Sequence, residues 1–174
     1  MPFPRRRSAA RAPRKRAVWI NIPFGGVAFT ETVGNQDLLV PEDWEASFTG
    51  LTQERAVLRA VVGQIHLIQD TAGTVGGDLF WGIYLAGTNE TAVPTFTTSG
   101  MSEVVWLTTG SRPTSNVITQ SATIFMSQPQ EINVKAKRKL DTRTKIAICA
   151  QYGADAASPS GKLGGLLRFL VARD

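Results

Sequence analysis

The chain has 174 residues, with 19 Lys+Arg against 14 Asp+Glu and 43% hydrophobic residues. That apolar content excludes a wholly disordered chain, and the length suits one domain with a single core. No run approaches the roughly 18–20 consecutive apolar residues of a membrane span, and a single cysteine, Cys149, excludes intrachain disulfides and cysteine-clustered zinc. A soluble protein without membrane partner or cofactor is expected. No secretory signal is expected either, because the basic start runs into Val18–Ile22 without a long apolar segment.

Charge is unevenly placed. Of the 19 Lys+Arg, seven lie in residues 1–16 (Arg5, Arg6, Arg7, Arg11, Arg14, Lys15 and Arg16), with no acid among them. The remaining 12 face 14 acidic groups, so residues 17–174 carry a net −2. Pro2, Pro4 and Pro13 disfavour a helix, and the like charges repel with almost nothing apolar to bury. Residues 1–16 are therefore expected to be a disordered arm, and residues 17–174 a folded body.

From Ala17 onward the chain reads as short apolar segments separated by Gly, Pro, Asn and Ser. The spacing predicts strands at Ala17–Ile22, Val27–Val33, Ala56–Ile68, Leu79–Ala86, Glu103–Thr108, Val117–Met126, Glu131–Leu140, Lys145–Tyr152 and Leu166–Ala172. These nine reduce to eight if Pro23, Gly25 and Gly26 only bend one long first strand. Pro41–Phe48 predicts a short helix, with Pro41 and two acids in its first turn. Thr52–Val62 has partly helical spacing, but Gly63 and the β-branched residues beyond it favour a strand. Many short strands with regular turn signals predict an all-β sandwich or barrel. Leu79–Ala86 is apolar on both faces, so its outer face is covered either by a loop of the same chain or by another subunit.

Catalytic chemistry finds little support. His66 is the only histidine, and within Gln64–Ile68 it reads as a half-buried strand residue with no nucleophile selected for it. Cys149, between Ile148 and Ala150, reads as a buried inert thiol. Glu42, Asp43 and Glu45 read as a solvated helix start rather than a calcium site. Ala156–Lys162 nearly spells a phosphate loop, yet Ala156 and Leu163 replace the required glycine and hydroxyl. The chain is not expected to be an enzyme, and no metal is expected.

The basic segments remain. Lys and Arg neutralise phosphates with release of counterions, and guanidinium forks grip phosphate oxygens bidentately. The arm is thus read as a nucleic-acid-binding element. A second basic stretch spans Lys135–Lys145. On a strand, Lys135, Lys137 and Lys139 share one face, opposite Val134, Ala136, Arg138 and Leu140. Two readings stand here: an edge strand guarded by lysines against aggregation, or a basic floor, with Arg138 included, facing nucleic acid.

Three segments carry a family resemblance. Thr52–Leu67 holds a Val-Leu-Arg-x-x-x-Gly-x-Ile core at Val57–Ile65; Val134–Ile148 is a basic strand turning at Leu140-Asp141 into an apolar one; Leu166–Ala172 looks like a closing strand. With the Pro- and Arg-rich arm, they resemble the jelly-roll capsid proteins of small circular Rep-encoding single-stranded DNA viruses, the circovirus-like group. The arm is shorter and less arginine-dense than is usual there, and an RNA satellite-virus capsid stays open. The resemblance implies a single eight-stranded jelly-roll sandwich and a homo-oligomeric T=1 icosahedral capsid of about sixty copies. It also implies a packaged single-stranded DNA genome (RNA being the alternative), location in the virion and host nucleus, and use of host nuclear import machinery. Sixty arms would carry roughly 420 positive charges inside such a shell, a partial neutralisation of its genome. The alternative is a cellular nucleic-acid-binding β-barrel protein of ribosomal or RNA-chaperone type. Such a module usually keeps basic and aromatic residues on its folded surface, whereas Trp44, Trp81 and Trp106 lie in apolar settings.

Overall fold

Ala17–Phe29 forms one long strand, β1, in which Val18, Ile20 and Ile22 pack inward and Trp19, Asn21 and Pro23 face out. A bulge between Phe24 and Val27, where Gly25 and Gly26 lie, resets the alternation, so that Phe24, Val27 and Phe29 are all buried. The two predicted first strands are thus one bent strand. The structure, a computed structural model, describes residues 17–30, 33–48, 55–69, 77–91, 93–94, 96, 105–114, 125–126, 128–152 and 161–173.

The further strands are β2 (Gly34–Leu39), β3 (Ala56–Gln69), β4 (Gly77–Gly87), β5 (Val105–Thr114), β6 (Phe125–Met126), β7 (Gln130–Leu140), β8 (Thr144–Tyr152) and β9 (Gly161–Arg173). One sheet has the order β1-β9-β3, with β6 and β7 both paired to the far edge of β3; the other has the order β2-β8-β4-β5. All described pairings are antiparallel. Because β6 and β7 occupy successive stretches of the same β3 edge, the sandwich has eight strand positions. Every connection except β4–β5 and β6–β7 crosses between sheets, and the orders 1-9-3-7 and 2-8-4-5 are those of a jelly roll. The Thr52–Val62 ambiguity resolves as strand from Ala56 onward, while residues 51–54 lie outside the described residues.

Between the sheets lies the main core. Leu58, Val61, Ile65 and Leu67 of β3 and Leu163, Leu167, Phe169 and Val171 of β9 meet Leu79, Trp81 and Ile83 of β4 and Ile146, Ile148 and Tyr152 of β8. Each fully buried Leu, Ile or Phe of this set contributes about 1.5–3 kcal/mol. Trp81 satisfies its one polar atom by donating Nε1–H to Oε1 of Gln130 at 3.2 Å. The predicted helix is present as α1 (Pro41–Glu45), continued by a 3-10 turn at Ala46–Phe48. Asp43 closes its start: its Oδ2 accepts the Val40 N–H at 2.9 Å, and its own N–H donates to the Val40 carbonyl at 3.0 Å. Asp43 of the acidic cluster thereby has a structural use, while Glu42 and Glu45 are exposed, and Trp44 and Phe48 anchor the segment in the core.

The outer faces of the two sheets differ. On the β2-β8-β4-β5 sheet, Tyr84, Ala86, Ala147 and Cys149 form a second buried cluster, against which Val33, Val93, Phe96 and Trp106 pack. Phe96 and Trp106 have ring centroids 5.6 Å apart, and Tyr84 and Trp106 5.8 Å. The apolar outer face of β4 is therefore covered by the protein's own loop after Gly87, the first of the two readings above. The outer face of the β1-β9-β3-β7 sheet has no such cover among the described residues.

Strand β2 was not predicted. Gly34 and Asn35 read locally as a turn, and only Leu38 and Leu39 of its six residues are buried apolar groups. It is an edge strand held by β8, with Lys145 Nζ reaching Asp37 Oδ2 at 3.2 Å. Strand β5 runs past the predicted end at Thr108 to Thr114, and tolerates Pro113 because it too is an edge. Of the predicted Val117–Met126, residues 117–124 lie outside the described residues.

Candidate nucleic-acid interface

Strand β7 carries the second basic stretch and pairs only with β3, so it is an edge. Its inward residues Ile132, Val134, Ala136 and Leu140 reach the core. Lys135, Lys137, Arg138 and Lys139 are all exposed. The predicted alternation holds, with one local change. Between Leu58 and Ala60 the register of β3 shifts against both neighbours, so that Ala136 and Lys137 together oppose Arg59, itself exposed. Arg138 has the inward parity, opposite Leu58, yet is exposed at the edge of the sheet. A turn then fixes the end of the strand: Asp141 Oδ1 accepts the Arg143 N–H at 2.8 Å, and Thr144 Oγ1 accepts the Asp141 N–H at 2.9 Å.

Cross-strand register sets the neighbours of these lysines. Ala17 pairs with Ala172, Ala172 with Val57, and Val57 with Lys139. One step along, Trp19, Leu170, Ala60 and Lys135 form the next row. The following rows run Asn21–Arg168–Val62–Asn133 and Pro23–Leu166–Gln64–Glu131. Each row crosses three inter-strand gaps of about 4.8 Å, or about 14 Å in all. The end of β1 nearest the arm thus lies in the row of Lys139.

Trp19 and Arg168 form a couple on this face. The Arg168 guanidinium lies 5.0 Å from the centroid of the Trp19 ring, and its Nε donates to Asn21 Oδ1 at 3.2 Å. Trp19 stays 42% exposed and Leu166 48%, two of the three exposed large apolar side chains among the described residues. Neither Trp19 nor Arg168 stood out in the sequence. The signal was present as strand alternation, since Trp19 in AVWINI and Arg168 in LLRFLVA both fall opposite core residues.

Arg5, Arg6, Arg7, Arg11, Arg14, Lys15 and Arg16 lie outside the described residues. His66, half-buried as expected, sits on the outer face of β3 opposite Gly164. Cys149 is buried under the other sheet's outer face, its thiol directed at the Gly82 carbonyl at 3.7 Å. The two residues lie on opposite sides of the sandwich and cannot form a relay. Among the described residues no group of three His, Cys, Asp or Glu is arranged to hold a metal ion.

No family model matches the sequence, and no curated protein matches it. Among solved structures, the chain is similar to one titled Desmodium yellow mottle tymovirus, with 12% identity over 99% of this chain and 95% of that one, at a TM-score of 0.38. It is similar also to a structure of infectious bursal disease virus Gx strain, with 16% identity and a TM-score of 0.32. The VP2 subviral particle of infectious bursal disease virus matches with 15% identity and a TM-score of 0.33. The matches cover 99% of this chain in both cases, but only 41% and 42% of those longer chains. At such low identity and overlay the jelly-roll assignment stands on the strand order itself.

Proposed function

We propose that the chain is a viral coat protein that self-assembles into a small closed shell and packages single-stranded nucleic acid. The observation that carries this reading is that Ala17, the residue that follows the basic arm, and the basic strand β7 lie in one sheet. The arm joins β1 in the row of Lys139, and Lys135, Lys137 and Lys139 emerge from the same outer face. The arm brings seven further positive charges to the chain at that end of the sheet, while the body as a whole is net −2. A polyanion would be held on one side of the sandwich only, as a shell with a distinct interior requires. In this reading residues 1–16 are the packaging arm, residues 17–174 the shell domain, and closed assembly takes about sixty copies in T=1 symmetry. Single-stranded DNA, passage through the host nucleus and nuclear import follow from the circovirus-like resemblance.

A second reading, a cellular single-strand-binding β protein, is favoured by one observation. Trp19 and Arg168 are exposed on a folded surface beside lysines, the arrangement of modules that bind nucleic acid as monomers. Negative-stain microscopy and light scattering of the purified protein decide between the two. Uniform spherical particles are expected, and deletion of residues 1–16 should leave particles or subunits folded but lower their 260/280 nm absorbance ratio. A monodisperse monomer at high concentration with nucleic acid supplied overturns the shell.

A further inference from the structure

Behind the lysines, the outer face of the β1-β9-β3-β7 sheet is hollowed into a cleft of about 530 Å³. It runs across all four strands, between Trp19 and Arg168 at one side and Glu131 and Asn133 at the other, over a floor of Val62 and Gly63. Its volume is within the ~300–1,000 Å³ of small-ligand pockets. The two most exposed large apolar side chains among the described residues, Trp19 and Leu166, both line it.

We infer that this cleft binds an unpaired nucleobase of a single-stranded polynucleotide, resting on the Trp19–Arg168 couple while the neighbouring phosphates lie on Lys135 and Lys139. The inference rests on the packaging reading and adds a site to it. Three features select a base rather than a phosphate or a peptide. The couple offers an indole and a guanidinium plane, the two surfaces on which unpaired bases stack. Arg168 is already held by Asn21 and by the indole, so its plane is fixed before the base arrives and little ordering entropy is lost on binding. Glu131 would repel a phosphate inside the cleft, whereas its carboxylate accepts hydrogen bonds from the amino and ring N–H groups of a base. The amides of Gln64 and Asn133 offer donors and acceptors to the same edge. Thymine and uracil present their one ring N–H between two carbonyl oxygens that a carboxylate repels, so they would bind less well than cytosine or adenine, whose amino groups are open to it.

Charge then divides along the sheet. The row nearest the arm ends in Lys139 and the next in Lys135, while the rows of the cleft end in neutral Asn133 and acidic Glu131. A strand held by its phosphates at the basic end can place one base into the cleft a few ångströms away. Double-stranded nucleic acid cannot do so, because its bases are stacked and paired.

The test uses the full-length protein freed of nucleic acid in high salt, titrated with a deoxycytidine dodecamer and with an abasic dodecamer of equal charge. The dodecamer with bases should bind more tightly, and Trp19→Ala should weaken it about 5- to 150-fold, the range of a lost base–aromatic stack. Trp19→Phe should restore most of that affinity, and abasic binding should be unchanged by either substitution. Glu131→Gln should narrow the preference for cytidine over thymidine. Thermal unfolding of each variant confirms that it remains folded. Equal binding of the two dodecamers overturns the cleft while leaving packaging by the arm intact; loss of abasic binding on deletion of residues 1–16 examines that reading separately. Should Trp19→Ala instead abolish subunit association with oligonucleotide binding unchanged, the cleft is an interface between copies and the inference fails.

Discussion

The indole of Trp106 lies over Gly82, in the space that a side chain there would occupy. Gly82 sits on the outer face of β4 between Phe80 and Tyr84, where three aromatic rings converge: Tyr84, Trp106 and Phe96. The flat roof over this sheet depends on the missing Cβ. Gly82→Ala should therefore destabilise the fold by about 1–3 kcal/mol through overpacking. A double-mutant cycle with Trp106→Ala checks the cause: the two losses should not add, because removing the indole makes room for the new methyl. Additive losses would place the strain elsewhere.

Burial decides the response to alkali. It pushes the Cys149 thiol up from 9.0 to about 12, against a lowering backbone hydrogen bond from Gly82, and it pushes the Tyr152 phenol up from 10.0 to about 12. Between the unfolded and folded values the native state binds more protons than the unfolded chain, so stability falls with rising pH. Their contribution is complete below about pH 9 and is lost as pH climbs toward about 12. Urea midpoints should be flat on this account between neutral pH and 9 and decline above it. Cys149 should also resist thiol reagents at pH 8 until urea unfolds the protein; rapid native labelling would contradict its burial.

Tyr152 poses a separate question. Its hydroxyl is buried and has no hydrogen-bond partner among the described residues, while its ring packs 4.8 Å from that of Phe29. An unsatisfied buried hydroxyl costs about 1–3 kcal/mol. Tyr152→Phe keeps the ring and removes the cost, so the melting temperature should hold or rise. A fall of several degrees would show that the hydroxyl is satisfied after all.

The lysines of β7 separate two roles by salt dependence. If they contact phosphates, replacing Lys135, Lys137 and Lys139 with Gln should reduce the slope of log K against log salt by about 2 for single strands. If they only guard an exposed edge, the slope should stay the same and the variant should aggregate. Oligonucleotide titrations at four salt concentrations, with light scattering alongside, give both readings.

The sequence by itself determined the strands whose pattern is local. The presence of β1, β3, β4, β7, β8 and β9, the Pro41 helix start and the turn after Leu140 all follow from apolar spacing and turn chemistry within a few residues. So did the shared face of Lys135 and Lys139, because a strand's side chains alternate whatever it pairs with. Strand β2 was hidden because Gly34–Leu39 has little apolar patterning of its own, and only the ladder to β8 makes it a strand. What covers β4 was likewise undecidable locally: an apolar outer face requires burial, but nothing in Leu79–Ala86 says whether Phe96 and Trp106 or a neighbour provides it. The bulge at Arg59 is visible only against two partner strands. The cleft depended most on tertiary structure, since Trp19, Gln64, Asn133 and Arg168 come from four strands up to 149 residues apart. Cross-strand register, a property of paired chains rather than of any one segment, brings them together.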